Sequence, residues 1–273
     1  MPCSVCGKPM RTIEKFAVAG GSLSYFRFGE GATPFVILPG MSLKPIVNSA
    51  TAIAGAYHDF RREFSAFVFN YREPVPADAT PRDFAADVAA ALDALGVKHA
   101  CVFGASLGGM VAQWLAIDRP DLVGKLALGS TTAKTPDVGK TAMHEWAALA
   151  ENRNVVALNR SVWARLYTTA YLTKWADAFA YLEKDGTETE CARFVALSQV
   201  VCRMDAEADL QNIACPTLVL AAGDDSIFPP VCSEKIAQAT GADYFVYEDY
   251  CHSVFDEAED YKDRLMAFFK EQK

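Results

Sequence analysis

A chain of 273 residues, 51% of them hydrophobic and 22% charged, is long enough for a large α/β domain with an insertion and too apolar for a disordered protein. Its net charge of -8 argues against a surface for nucleic acid or for an anionic membrane. No run approaches the roughly 20 apolar residues of a membrane span. The N-terminus also has no apolar segment typical of a secretory signal, so we expect a cytoplasmic protein.

Eight cysteines are scattered through the chain, and several lie inside apolar runs, which favours reduced, buried thiols over a disulfide framework. Cys3 and Cys6 form half of a zinc or redox motif, but no second pair completes it. We therefore expect residues 1–11 to be a flexible tail, and we expect no metal site.

The first half of the chain alternates predicted strands and helices. Strands are expected at residues 13–18, 23–28, 35–38, 67–69, 100–103 and 125–128. Helices are expected at about 45–64, from Thr80 to Gly96, and directly after the strand at 100–103. Because strands that alternate with helices form parallel sheets, this pattern predicts a doubly wound sheet. An antiparallel hairpin turning at Gly20-Gly21 precedes it.

The alternation stops after residue 131, and residues 132–210 show only helical periodicity. The sheet resumes with strands at 216–221 and 244–247 and with helices at 232–240 and about 257–270. We predict an α/β core of residues 12–131 and 211–273 that carries an inserted helical cap of residues 132–210. Aromatic residues in such a cap pack in its interior or line a substrate pocket. The pocket candidates are Trp146, Trp163, Tyr167, Tyr171 and Trp175.

A serine lies at the junction of one predicted strand and the helix that follows it, in Gly104-Ala105-Ser106-Leu107-Gly108. A turn this tight strains the apex residue and leaves little room for side chains at the flanking positions, a need that Gly104 and Gly108 meet. The first N–H groups of the helix then point toward whatever the serine attacks. The pattern favours a nucleophilic serine over a plain Gly-Ser turn.

An activated serine needs a base, and the base needs an orienting acid. Of the four histidines, His252 follows a predicted strand, and loops at the carboxyl ends of parallel strands meet in one crevice, which places it near Ser106. His58 and His144 lie in helical patterns, and His99 lies at the opposite end of its strand. His252 is therefore the candidate base.

The acid is expected after the strand that follows the cap. The turn Gly223-Asp224-Asp225-Ser226 offers two carboxylates there, although turn chemistry by itself also favours aspartate. The residues alone leave both aspartates open.

Together these motifs resemble those of the α/β-hydrolase fold family, specifically its capped serine hydrolases, from about residue 12 to the end of the chain. The resemblance rests on residues 35–41, 104–109, 118–123 and 215–220, and on Cys251-His252. The order serine, aspartate, histidine along the chain is also that of the family.

The resemblance implies that Ser106 is the nucleophile and His252 the general base. For the acid it favours Asp225, which stands four residues before a proline as in the family. Asp224 stays as the alternative, because the spacing from the preceding glycine is one residue shorter than the common one.

The resemblance further implies that the backbone N–H groups of Met41 and Leu107 form the oxyanion hole, and it implies no cofactor. The expected activity is hydrolysis of a small or medium, partly apolar carboxylic ester through an acyl-enzyme, so the expected partner is a small molecule. Alternatives are an acyltransferase of the homoserine-acetyltransferase type, a carbon–carbon bond hydrolase and a non-catalytic ligand-binding receptor. The sequence does not indicate an oligomeric state.

Overall fold

An eight-stranded sheet organises the computed structural model, which describes residues 12–271. Its strands are β1 (Ile13–Val18), β2 (Gly21–Phe28), β3 (Thr33–Leu38), β4 (Phe64–Phe69), β5 (Ala100–Ala105), β6 (Val123–Gly129), β7 (Thr217–Ala222) and β8 (Asp243–Tyr247). Their order across the sheet is β1-β2-β4-β3-β5-β6-β7-β8. β1 and β2 pair antiparallel with their neighbours, and β3 to β8 are parallel. The predicted doubly wound, mostly parallel sheet and its opening hairpin are confirmed.

Eleven α-helices lie within the described residues 12–271. They are α1 (Ala50–Ala56), α2 (Pro81–Ala94), α3 (Leu107–Asp118), α4 (Asp137–Glu151), α5 (Val155–Leu166), α6 (Thr169–Lys174), α7 (Ala176–Leu182), α8 (Glu188–Cys202), α9 (Pro230–Thr240), α10 (Val254–Glu257) and α11 (Tyr261–Lys270). The five helices α4 to α8 follow one another between β6 and β7, where the sequence shows only helical periodicity. These five helices are therefore an insertion between two neighbouring strands of the sheet.

Two predicted helices differ in the structure, one because it is divided and the other because it begins later. The helix expected at about 45–64 is a 3-10 turn, the short α1 and a second 3-10 turn. Gly55 weakens this helix, and Phe60 turns inward to stack on Phe35 with ring centroids 5.2 Å apart. The last helix begins at Tyr261 rather than near Glu257, because the chain is extended at Ala258 before the fully buried Tyr261.

Both faces of the sheet are covered. Helices α2 and α3 contribute to one buried apolar cluster, and α1 and α11 contribute to the other. The loops after β3, β5, β7 and β8 leave the sheet at its carboxyl edge, where the strand ends of an α/β sheet form a crevice. No helix within residues 12–271 is long and apolar enough to cross a bilayer. The predicted tail, with Cys3 and Cys6, lies outside the described residues.

Candidate active site

Ser106 occupies the turn between β5 and α3 in a strained conformation, with φ 55° and ψ -122°. The turn closes tightly on both sides. A Cβ on Gly104 would lie 2.3 Å from the Gly108 carbonyl oxygen, and a Cβ on Gly108 would lie 1.8 Å from the Leu38 carbonyl oxygen. Both contacts are with backbone, which cannot move aside as a flexible side chain does. The predicted need for glycine at these two positions therefore has a direct steric cause.

Replacing Gly108 with alanine is expected to destabilise the protein by about 3 kcal/mol or more, at or above the upper end of the usual cost of overpacking, because the new methyl group collides with the end of β3. Urea unfolding of the purified variant beside the wild type measures this change. Gly55→Ala is the matched control, because a Cβ there meets no atom within 4 Å. Equal stability of the Gly108→Ala variant and the wild type would contradict the close approach.

The turn at residues 104–109, here called the elbow, is also hydrogen-bonded to the end of β6 and the residues that follow it. Ser106 N–H donates to the Gly129 carbonyl oxygen over 2.9 Å, and Thr131 Oγ1 donates to the Ser106 carbonyl oxygen over 2.7 Å. A Cβ on Gly109 would lie 2.6 Å from Thr131, so this third glycine makes room for the threonine. Thr131 was not predicted from the sequence. The second glycine of the pair Gly108-Gly109 was the signal that a neighbouring residue packs closely there.

His252 and Asp225 are both buried and directly bonded. His252 Nδ1 lies 2.7 Å from Asp225 Oδ2, and Asp225 Oδ1 accepts the backbone N–H groups of Ile227 and Phe228 over 2.8 and 2.9 Å. The side chain of Asp224 is exposed, and its residue joins the site only through a backbone N–H bond to Tyr250. Of the two aspartates that the sequence left open, the structure brings Asp225 to the histidine.

The turn after β3 passes beside the serine. A Cβ on Gly40 would lie 3.2 Å from Ser106 Cβ and 3.7 Å from its Oγ. Gly40, Met41, Ser106 and His252 all line one cavity. Leu107 is the first residue of α3, so its N–H has no partner within the helix. Leu107 thus adjoins Ser106 along the chain and Met41 lines the same cavity, and the oxyanion hole formed by their N–H groups stays a prediction.

Two side chains that were not predicted from the sequence donate hydrogen bonds to the turn at residues 39–42. Tyr71 Oη donates to the Pro39 carbonyl oxygen. Arg193, on α8, donates to the Ser42 carbonyl oxygen over 2.9 Å, and its Nε lies 2.9 Å from a carboxylate oxygen of Glu73. Burial lowers the pKa of Arg193, and the charge of Glu73 opposes that shift. The helical insertion therefore touches the turn that carries Met41.

The cavity beside Ser106 is small and mostly apolar, with a volume of ≈ 60 Å³. Its apolar side chains belong to Met41, Met143, Trp146, Val162, Leu166, Phe194, Val201, Ile227, Phe228 and Phe255. Among the described residues that line it, His252 is the only one with a titratable side chain. A larger open groove of ≈ 800 Å³ lies elsewhere, near Arg27 and His58, and none of the predicted site residues lines it.

Of the five aromatic residues predicted for the pocket, the structure brings Trp146 to the cavity. Its Nε1 donates to Ser161 Oγ over 3.1 Å, so its indole presents an apolar wall. The other four lie in a separate aromatic group around Phe179, which consists of Trp163, Tyr167, Tyr171 and Trp175. Trp163 lies on α5 and Tyr171 on α6, and Tyr167 and Trp175 directly follow those helices, so the group depends on how the helices pack and not on periodicity within one helix.

Within residues 12–271 no group of three histidine, cysteine, aspartate or glutamate side chains is placed to hold a metal ion. A buried His–Asp pair whose histidine shares a cavity with a strained serine is suited to attack on a carbonyl carbon.

Comparison with known proteins gives consistent results. A family model described as the alpha/beta hydrolase fold matches residues 33–259. RutD of Klebsiella pneumoniae (strain 342), provisionally named a carbamate hydrolase, is 31% identical over 175 residues, which are 61% of this chain and 63% of that protein. The match therefore spans less than two thirds of that relative.

Two further similarities concern a lactonase and a solved structure. The 3-oxoadipate enol-lactonase 2 of Acinetobacter baylyi is 26% identical over 141 residues, which are 52% of each chain. The crystal structure of an alpha/beta hydrolase enzyme from a Medee basin deep-sea metagenome library superposes with a TM-score of 0.84. It is 20% identical and covers 95% of this chain and 98% of that one, a likeness in fold.

Proposed function

The chain belongs to the α/β-hydrolase fold family, and from this premise we propose that it is a serine hydrolase that cleaves small or medium, partly apolar carboxylic esters. The observation that carries the proposal is the 2.7 Å contact of the buried Asp225 with His252, which lines the same cavity as Ser106. A serine that merely joined a strand to a helix would have no need of a buried His–Asp pair. The pair supplies the base and its orienting acid.

In the proposed reaction His252 takes the proton of Ser106 as the hydroxyl attacks the ester carbonyl. Asp225 holds the imidazole with Nδ1 protonated, so that Nε2 is the nitrogen that accepts the proton. The N–H groups of Met41 and Leu107 stabilise the oxyanion. The alcohol leaves with the proton held by His252, and an acyl-enzyme remains. His252 then activates water, which releases the acid and restores Ser106.

The substrate class follows from the cavity lining. A pocket of apolar side chains favours an uncharged acyl group, because a carboxylate placed there would lose water and find no cation. We also propose that helices α4 to α8 act as a cap, since Met143, Trp146 and Phe194 from this insertion close the cavity over Ser106. The carbamate and enol-lactone in the names of the two relatives are carbonyl compounds, which supports attack on a carbonyl.

A panel of chromogenic esters of increasing acyl length tests the substrate class. We expect kcat/KM for a butanoate ester to exceed that for an octanoate ester by about tenfold or more, because the longer chain does not fit the small cavity. An ester whose acyl group ends in a carboxylate should be cleaved more slowly than the uncharged ester of equal length. Equal rates across the panel would contradict the role given to the cavity.

A fluorophosphonate probe tests whether Ser106 is an activated nucleophile without requiring that the right ester be known. Such a probe labels an activated serine, so the adduct should map to Ser106 by peptide mass analysis. Labelling without hydrolysis of any ester would favour transfer to another acceptor or carbon–carbon cleavage, which use the same triad. Binding of a small ester without labelling or turnover would favour a non-catalytic receptor.

A further inference from the structure

The turn between α5 and α6 is bonded to the segment that directly follows His252. Ser253 N–H donates to the Leu166 carbonyl oxygen over 2.8 Å. Ser253 is only 3% exposed, and both residues line the cavity beside Ser106. The peptide next to the histidine is thus held by the helical insertion rather than by the sheet.

A second contact reinforces this junction, between Thr168, two residues after Leu166, and the carboxylate of Glu257, four residues after Ser253. Glu257, at the end of α10, accepts Thr168 N–H with Oε1 over 3.0 Å and Thr168 Oγ1–H with Oε2 over 2.6 Å. The same threonine oxygen accepts the N–H of Tyr171 over 3.2 Å and so caps α6. One carboxylate therefore fixes both the backbone and the side chain at the start of a helix in the insertion.

These bonds couple the position of the insertion to the position of His252. If the turn lifted away, Ser253 would keep a buried N–H without a partner, which costs free energy, or the segment would move with the turn. Either change displaces the residue next to His252. The ring is hydrogen-bonded to Asp225 through Nδ1 and packs edge-on against Phe228, with ring centroids 5.4 Å apart. Its Nε2 end faces away from the bonded Nδ1, so the position of Nε2 also depends on the backbone that carries the ring.

We infer that Thr168 and Glu257 are positioning residues: together they latch the helical insertion onto the His252 segment and keep the general base aligned with Ser106. This inference rests on the proposed function of Ser106 and His252. It predicts that loosening the latch lowers the rate of the chemical step, while the cavity wall that binds the ester stays largely intact.

The test compares two replacements of one residue. Thr168→Val keeps the branched shape and the backbone N–H but removes the hydroxyl, and it should lower kcat about tenfold with KM changed less than about twofold. Thr168→Ser keeps the hydroxyl and should restore kcat to within about twofold of the wild type. The rate of fluorophosphonate labelling of Ser106 should fall in Thr168→Val in proportion to kcat, because labelling also depends on His252.

A second variant probes the other half of the latch. The amide of Glu257→Gln has one oxygen for two donors, so kcat should fall here as well. The double variant Thr168→Val with Glu257→Gln should lose no more than the worse single variant, since both changes break the same contact. Glu188→Gln is the matched control. It breaks the ion pair with Arg153 inside the insertion without touching the His252 segment, and it should leave kcat unchanged.

The outcomes separate the two levels of the proposal. A wild type that neither hydrolyses an ester nor labels at Ser106 overturns the proposed function and the latch with it. A labelled, active wild type together with unchanged kcat in Thr168→Val and Glu257→Gln overturns the latch alone. An equal loss of kcat in Glu188→Gln, or a loss that Thr168→Ser does not rescue, also overturns it, because the effect is then general destabilisation.

Discussion

Replacing Ser106 with alanine should lower kcat/KM for the best ester by about 10⁴-fold or more, the scale seen when a triad nucleophile is removed. The variant loses the attacking oxygen but keeps His252, Asp225 and the flanking N–H groups, so a residual rate above that of water alone is expected. Steady-state hydrolysis of the short esters measures the loss. The fluorophosphonate adduct should disappear completely, because the probe labels an activated serine and the variant has none at position 106.

Two comparisons make this result interpretable. Ser65→Ala, in β4, removes a hydroxyl away from the cavity and should keep full activity and labelling. Circular dichroism should show that the Ser106→Ala variant is folded, since the change removes one atom and adds none. Retention of wild-type activity in Ser106→Ala would end the claim that this serine is the nucleophile, whatever the geometry around it.

The strain at Ser106 explains why the elbow was predictable from a few residues. A non-glycine residue at φ 55° persists only if its surroundings hold it, and here they include the Gly129 carbonyl, Thr131 and the close approach of Gly108 to Leu38. The need for glycine is a local steric fact, so it is visible in the sequence. The partners that hold the elbow come from other strands and leave no such local mark.

That Ser106 and His252 line one cavity was predictable for a different reason. Both follow strands of one parallel sheet, and sheet topology alone brings the ends of those strands to one edge. The choice between Asp224 and Asp225 was not predictable from the residues in that way. The structure brings Asp225 to the histidine because the N–H groups of Ile227 and Phe228 both bind one of its oxygens, an outcome set by the folded turn.

The helical insertion was the least predictable region. Arg193 bonds to Ser42 across 151 positions of sequence, and Thr168 bonds to Glu257 across 89. No pattern within a single helix indicates such partners. For the same reason only Trp146, among the aromatic residues proposed for the pocket, lines the cavity, while the other four lie in the group around Phe179. The insertion follows helical periodicity, but its docking depends on contacts that only the folded chain reveals.

Replacing Asp225 with asparagine should lower kcat by about 10³ to 10⁴-fold while the protein stays folded, the scale of the same change in other triads. The carboxylate accepts three hydrogen bonds, one from His252 and two from backbone N–H groups. An asparagine has one acceptor oxygen, and the two N–H groups of Ile227 and Phe228 already require it. Its NH₂ group therefore faces His252 Nδ1 and favours the tautomer with the proton on Nε2, which cannot accept the proton of Ser106.

Asp224→Asn is the matched control for this prediction, since it makes the same chemical change one residue away on an exposed side chain. It should leave kcat within about twofold of the wild type, because exposed charges of this kind interact weakly. Kinetics of both variants on the same short ester decide between the two aspartates. A large loss in Asp224→Asn with activity retained in Asp225→Asn would reverse the assignment. Because the two residues share one turn, a general disturbance of that turn would affect both variants alike, whereas the hydrogen bonds to His252 require the loss to fall on Asp225 alone.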